Sequence, residues 1–157
     1  MSGGRVGLGF DVHPFADDPE RPLVLGGVRL EGPGLAGHSD ADVAAHAVAD
    51  ALLGAAGLGD LGSHFPDTDP AYAGVDSLDL LARVVLSVGE RWRIDNVDAT
   101  LIAEVPRLAP HLPLMQSRLT GVVGAPVSVK AKRAEALGAL GRQEGIACMA
   151  VALLQGR

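Results

Sequence analysis

The sequence predicts an α+β fold, a two-layer sandwich in which helices cover one face of a mixed β-sheet. Three observations carry that prediction. Runs with the two-residue period of strands alternate with runs of helical period, hairpin signals flank them, and no linker or internal repeat divides the 157 residues. A chain of that length buries a core without disulfide or metal staples, so residues 1–157 are read as one domain.

Val6, Leu8 and Phe10 alternate with Gly7, Gly9 and Asp11, which predicts a first strand, thinned by its glycines so that something packs close against it. Leu23-Val24-Leu25 and Val28-Arg29-Leu30 flank Gly26-Gly27, the two-residue turn of a hairpin. After the break at Gly32-Pro33-Gly34, Ser39 stands where a helix N-cap belongs, with Asp42 three residues on. The alanine-rich run that follows reaches Ala56 and stops at Gly57. Residues 57–75 read as a loop rich in Gly, Asp and Pro, and loops this long in a compact domain are usually functional. Residues 77–90 place Leu78, Leu81, Val84, Val85 and Val88 on one face of a second helix. A strand over 94–103, a loop over 106–113, a short helix to 123, and strands over 127–131 and 146–154 complete the set. A charged loop, 132–145, separates the last two strands.

Thirteen Lys and Arg against 19 Asp and Glu give a net charge of −6, and no stretch gathers the basic residues into a stripe, which argues against a nucleic-acid partner. Aromatics make up 3% and hydrophobics 48%, so Ala, Val and Leu must build the core; their small area per residue favours burying further surface in a homo-oligomer. No run of 18 apolar residues exists, and the N-terminal segment has neither the apolar stretch of a signal peptide nor a basic amphipathic helix. A soluble protein with no membrane partner is expected. Cys148 is the single cysteine and lies in an apolar segment, which predicts a buried, inert thiol in a reducing cytoplasm.

His13, His38 and His46 cluster among acidic side chains. Asp11 and His13 are two apart on a strand and share a face, while His46 sits midway between Asp42 and Asp50 on one helical stripe. Two imidazoles and a carboxylate make the three-ligand set of a catalytic zinc. Spacing alone leaves this open against an ordinary strand end beside a partly exposed helix histidine. His38 precedes Ser39, where a helix N-terminus would favour an anion such as phosphate, and a plain turn residue is the alternative. Asp40, Asp42, Asp60, Asp67 and Asp69 suit hydroxyl recognition or a second, harder cation, or else form turns.

The segments Gly7 to His13, Gly37-His38-Ser39-Asp40-Ala41-Asp42-Val43-Ala44-Ala45-His46, Gly59-Asp60-Leu61-Gly62 and Phe65-Pro66-Asp67-Thr68-Asp69-Pro70 occur in an order and spacing that resembles the 2-C-methyl-D-erythritol 2,4-cyclodiphosphate synthases of the non-mevalonate isoprenoid pathway. The likeness continues through Asn96-Val97-Asp98, Ile102 to Arg107, Val129-Lys130-Ala131 and Gly141 to Ala147, and covers residues 5–154. The resemblance implies zinc on Asp11, His13 and His46, and a second cation, Mg2+ or Mn2+, bridging the substrate diphosphate through Glu135. It implies that His38 and Ser39 hold phosphate near the transition state. Asp60, Gly62, Phe65, Asp67 and Asp69 would meet the erythritol moiety and form a flap. The implied cytidine pocket falls on Ala103 to Ala109, including Arg107 and Leu108, and on Lys132 to Glu135, with Ala131 and Arg142 as further substrate contacts. A neighbouring subunit would supply that pocket, because the resemblance also implies a homotrimer with shared sites. The implied substrate is a cytidine diphosphate, and the reaction closes a cyclic diphosphate with loss of CMP.

Lys132-Arg133-Ala134 stands where many members carry three threonines, so the expected hydroxyl at 133 is replaced by a guanidinium able to donate two bonds to phosphate. Arg133 is therefore read as catalytic, with a solvated surface arginine as the alternative. Ala139 and Leu140 also depart from the pattern, while Arg142 and Glu144 remain, at the threefold-axis cavity where some relatives take an isoprenoid diphosphate. A trimeric zinc- and nucleotide-binding homologue with impaired catalysis is the second reading.

Overall fold

The computed structural model describes residues 3–157; Met1 and Ser2, on which the reading of the N-terminal segment partly rests, lie outside the described residues. The elements are β1 (Arg5–Pro14), β2 (Leu23–Leu25), β3 (Val28–Leu30), α1 (Val43–Ala56), α2 (Leu61–His64), α3 (Ser77–Gly89), β4 (Trp92–Ile102), α4 (Leu112–Val123), β5 (Val127–Lys132), α5 (Gly138–Gly141) and β6 (Gly145–Gly156). The long strands form one sheet in the order β1-β6-β4-β5, antiparallel except for the parallel β4–β5 pair, and β2 pairs with β3 as a separate hairpin. Helix α1 packs on β1, β6 and β4, α4 packs on β5, and α3 lies against α1 and α4. The mixed sheet with a single helical layer is the predicted architecture.

The glycines of β1 decide which of its faces meets that layer. Gly7 and Gly9 are buried under α1, and a Cβ on either would run into the carbonyl oxygen of Ala51 or Ala47. The alanines of α1 bring the helix that close. Val6, Leu8, Phe10 and Val12 consequently point the other way, with Val6 and Leu8 68% exposed. Met149 and Val151 of β6 extend the same apolar face, Met149 opposite Phe10 and Val151 opposite Leu8.

The predicted N-cap of α1 is corrected by one turn. Ala41 adopts the left-handed φ of 58°, so the helix starts after Asp42, and Ser39 is not its cap. Fully buried Asp42 accepts hydrogen bonds from the N–H groups of Ala44 and Ala45 at 3.1 Å each, and from those of Gly26 at 2.8 Å and Gly27 at 2.7 Å. One carboxylate thereby caps α1 and pins the β2–β3 turn, whose two glycines both have positive φ as a primed turn requires. Burial pushes the Asp42 carboxyl above its ordinary value, against the backbone N–H groups that bond to it. The helix ends at left-handed Gly57, as predicted.

The loop 57–75 contains α2 and a 3₁₀ turn at Pro70–Tyr72, and the charged loop contains α5. Each has three or four residues, too few to show a period. The remaining predicted elements are present within two residues at each end, apart from a 3₁₀ turn at Ala109–His111 that leads into α4. Cys148 is buried and burial raises its thiol to about 12, which suits the inert role expected of it. Among the described residues no helix is long and apolar enough to cross a membrane.

Candidate functional site

Asp11 and His13 leave the last turn of the β1 pleat on the α1 side, and His46 faces them from the first turns of α1. His46 Nδ1 lies 2.9 Å and His13 Nε2 3.2 Å from the same oxygen, Asp11 Oδ2. One donor atom from each residue falls within 4.8 Å of the other two. His13 Nδ1 donates to the Ala36 carbonyl at 2.7 Å, so the nitrogen turned towards Asp11 is the one free to ligate. Two imidazole nitrogens and a carboxylate oxygen converging in this way fit a divalent first-row metal. Burial works to raise the Asp11 carboxyl, but the hydrogen bonds and charges of His13 and His46 prevail and hold it well below the usual range. The Asp11 hydrogen bond raises His13 above its ordinary value against the effect of burial.

These residues form the floor of a cleft of about 560 Å³ that also takes in His38, Ser39, Asp50, Asp60, Gly62, Phe65, Asp67 and Tyr72. The structure thus brings together most of the first set of sequence-predicted residues. The structure does not place His38 beside a helix N-terminus: it sits four residues before the N-cap of α1, where the Asp42 carboxylate takes the N–H groups of Ala44 and Ala45. His38 instead donates from Nε2 to the Asp69 carbonyl at 2.8 Å, which ties the loop 57–75 to the cleft. Asp69 does not line the cleft; its carboxylate caps the 3₁₀ turn through Ala71 N–H at 2.9 Å, the turn-forming alternative. Asp60 caps α2 through Ser63 N–H at 2.8 Å, and Asp50 accepts from Leu61 N–H at 2.7 Å, anchoring α2 to α1. Phe65 packs edge-on to Tyr72 with centroids 5.3 Å apart.

A second cleft, about 520 Å³, is lined by Ala103, Glu104, Arg107, Leu108, Ala131, Lys132 and Arg133 among others. Arg133 is held there: its guanidinium donates to Glu104 Oε2 at 3.0 Å, while Ala134 N–H donates to Oε1 at 2.7 Å. The Glu104 side chain is only 4% exposed. Burial works to raise its carboxyl, and the bonds from Arg133 and Ala134 outweigh that and lower it. Sequence reasoning quoted Glu104 but gave it no role; its one signal was an acid at the end of a strand next to a basic loop. Glu135, with a left-handed φ of 55°, lines neither cleft, and Arg142 pairs with Glu144 at 2.7 Å outside both. The two clefts share no residue. They sit at the same end of the sheet but on its opposite edges, β1 and β5, with β6 and β4 between.

The YgbB family profile matches residues 4–155. A 2-C-methyl-D-erythritol 2,4-cyclodiphosphate synthase from Symbiobacterium thermophilum is 56% identical over 157 residues, which is 97% of this chain and 99% of that one. A bifunctional IspD/IspF enzyme from Anaeromyxobacter dehalogenans is 57% identical over 153 residues, 95% of this chain; the chain spans 39% of that longer protein. Among solved structures, a Plasmodium falciparum IspF in complex with CDP matches with a TM-score of 0.86 at 32% identity, over 100% of this chain and 99% of that one.

Proposed function

The chain belongs to the YgbB family, and from that premise we infer that it is a 2-C-methyl-D-erythritol 2,4-cyclodiphosphate synthase domain. It converts 4-diphosphocytidyl-2-C-methyl-D-erythritol 2-phosphate to the 2,4-cyclodiphosphate with release of CMP, a phosphorus–oxygen lyase step of non-mevalonate isoprenoid synthesis. The observation that carries this reading is the Asp11–His13–His46 group set in a cleft with His38 and Asp60, in a chain more than half identical to a synthase of the same length. The impaired-homologue reading finds no support, since the relatives are named as synthases and the metal-ligating residues are intact.

In the reaction an oxygen of the 2-phosphate bonds to the β-phosphorus, the bond from that phosphorus to the bridging oxygen breaks, and CMP leaves with the electron pair. The barrier comes from bringing one phosphate dianion onto another phosphate. Asp11, His13 and His46 would hold zinc, which neutralises phosphate charge and polarises the group under attack. His38 and Ser39 hold the attacking phosphate, and Asp60, Gly62, Phe65 and Asp67 meet the erythritol chain. Ala103, Arg107, Leu108, Ala131 and Lys132 take the cytidine diphosphate end, and Glu135 offers the single carboxylate with which Mg2+ or Mn2+ on a diphosphate is commonly held. Gripping both ends makes the attack intramolecular. Arg133 supplies charge at the position where the family resemblance implies a hydroxyl, and Glu104 holds its guanidinium at the cleft wall.

That the two clefts lie on opposite edges of the sheet supports a homotrimer in which the first cleft of one chain meets the second cleft of a neighbour. The buried lone thiol of Cys148 agrees with a cytoplasmic setting. The deciding assay is CMP release from the diphosphocytidyl substrate, matched one-to-one by cyclic diphosphate. His46→Ala loses both zinc and turnover while remaining folded, and Arg133→Ala lowers kcat and kcat/KM together by about 100-fold. Full zinc occupancy in His46→Ala overturns the metal assignment, and a near-normal kcat in Arg133→Ala overturns that of Arg133.

A further inference from the structure

His46 reaches Asp11 through Nδ1, so its other nitrogen, Nε2, decides how the ring is held. Nε2 lies 2.8 Å from Ser77 Oγ and 3.2 Å from Ser39 Oγ. The Ser77 hydroxyl makes a short contact with Asp40 Oδ1, and the same carboxylate accepts from Ser77 N–H at 3.1 Å through Oδ2 and from Asp42 N–H at 3.1 Å through Oδ1. Asp40 N–H in turn donates to the Val75 carbonyl at 3.1 Å. A carboxylate only accepts, so the Ser77 proton points to Asp40, and the Ser77 oxygen is left to accept from His46. A metal on Nδ1 takes that nitrogen's lone pair and leaves the ring's proton on Nε2, where Ser77 Oγ accepts it.

We propose that Asp40 and Ser77 are positioning residues for His46, a carboxylate–hydroxyl–imidazole chain that fixes the ring with Nδ1 presented to the metal. Ser77 is 1% exposed and opens α3, while Asp40 belongs to the loop before α1, so the chain joins three segments at one imidazole. His13 receives the same service from the Ala36 carbonyl, and outer partners of this kind usually affect metal affinity strongly. The proposal rests on the metal reading above.

The test is zinc affinity of the full chain by chelator competition, with the imidazole N–H of His46 followed by ¹⁵N-edited NMR. Ser77→Ala weakens zinc binding by about 10- to 100-fold, and Asp40→Asn weakens it less, in the same direction. Asp76→Ala, which removes the N-cap bond to Leu78 without touching His46, leaves affinity within about threefold. The His46 Nε2 proton is protected from solvent exchange in the zinc-loaded unaltered chain and exchanges rapidly in zinc-saturated Ser77→Ala. Equal zinc affinity in Ser77→Ala, or an equal loss in Asp76→Ala, overturns the positioning role and leaves the metal reading standing. An unaltered chain that takes up no zinc overturns the metal reading, and an unprotected Nε2 proton in the zinc-loaded chain overturns the hydrogen-bonded chain.

Discussion

At His13 the Ala36 carbonyl fixes which nitrogen faces Asp11, and the pH response of the metal-free site follows. The Asp11 hydrogen bond raises His13 above 6.5, so its contribution to stability is complete below that pH and is lost as pH rises through the raised value. Asp11 is lowered from 3.8, so its contribution is present above 3.8 and is lost as pH falls through its folded-state value. The pair therefore stabilises the metal-free chain most between pH 3.8 and 6.5. Zinc on His13, as proposed, would reverse the sign above that window, because the proton on His13 must leave before the nitrogen can ligate. Calorimetry of the metal-free chain against His13→Gln is expected to show a Tm gap that shrinks as pH rises above 6.5. The Tm increment produced by zinc grows over the same interval, and an increment that shrinks instead contradicts zinc on His13.

At the level of elements, the distance between β1 and α1 sets the metal group, and the glycines of β1 set that distance. An added Cβ at Gly9 would press on the backbone of Ala47, next to His46. Gly9→Ala is expected to cost about 1–3 kcal/mol in chemical denaturation and to weaken zinc binding although no ligand changes; unchanged zinc affinity would mean that strand and helix are not spaced by these glycines. Much of this geometry was legible: Asp11 and His13 share a face by strand period, His46 lies on the stripe between Asp42 and Asp50, and the glycines announced a close neighbour. The start of α1 was not legible, because Ser39 and Asp42 are three apart and imitate a capping box, whereas left-handed Ala41 delays the helix and frees Ser39 to face His46. Nor was Ser77, which reaches His46 across 31 residues by tertiary packing that no local pattern reports. Arg133 was legible as a departure, but the Glu104 that holds it was not, since their meeting depends on the parallel pairing of β4 with β5.

For the whole molecule, an acidic chain with few aromatics leaves Val6, Leu8, Phe10, Met149 and Val151 uncovered on one sheet face while its two clefts sit apart on the two sheet edges. An exposed apolar sheet face marks an interaction surface, and in the proposed trimer a closed ring of copies would cover it and bring the first cleft of one chain to the second cleft of the next. That arrangement makes a quantitative prediction for mixed assemblies. Chains carrying His46→Ala fail at the first cleft, and chains carrying Glu135→Ala fail at the second loop, so each is inactive alone. In a random one-to-one mixture about three quarters of trimers contain both kinds, and in each of these one interface of the three joins an intact His46 to an intact Glu135. Unfolding and refolding the two variants together should therefore restore CMP release to about a quarter of the unaltered rate, with sedimentation reporting trimers throughout. Mixed trimers with no recovered activity would place the whole site within one chain, and an active monomer in the same sedimentation run would remove the shared site altogether.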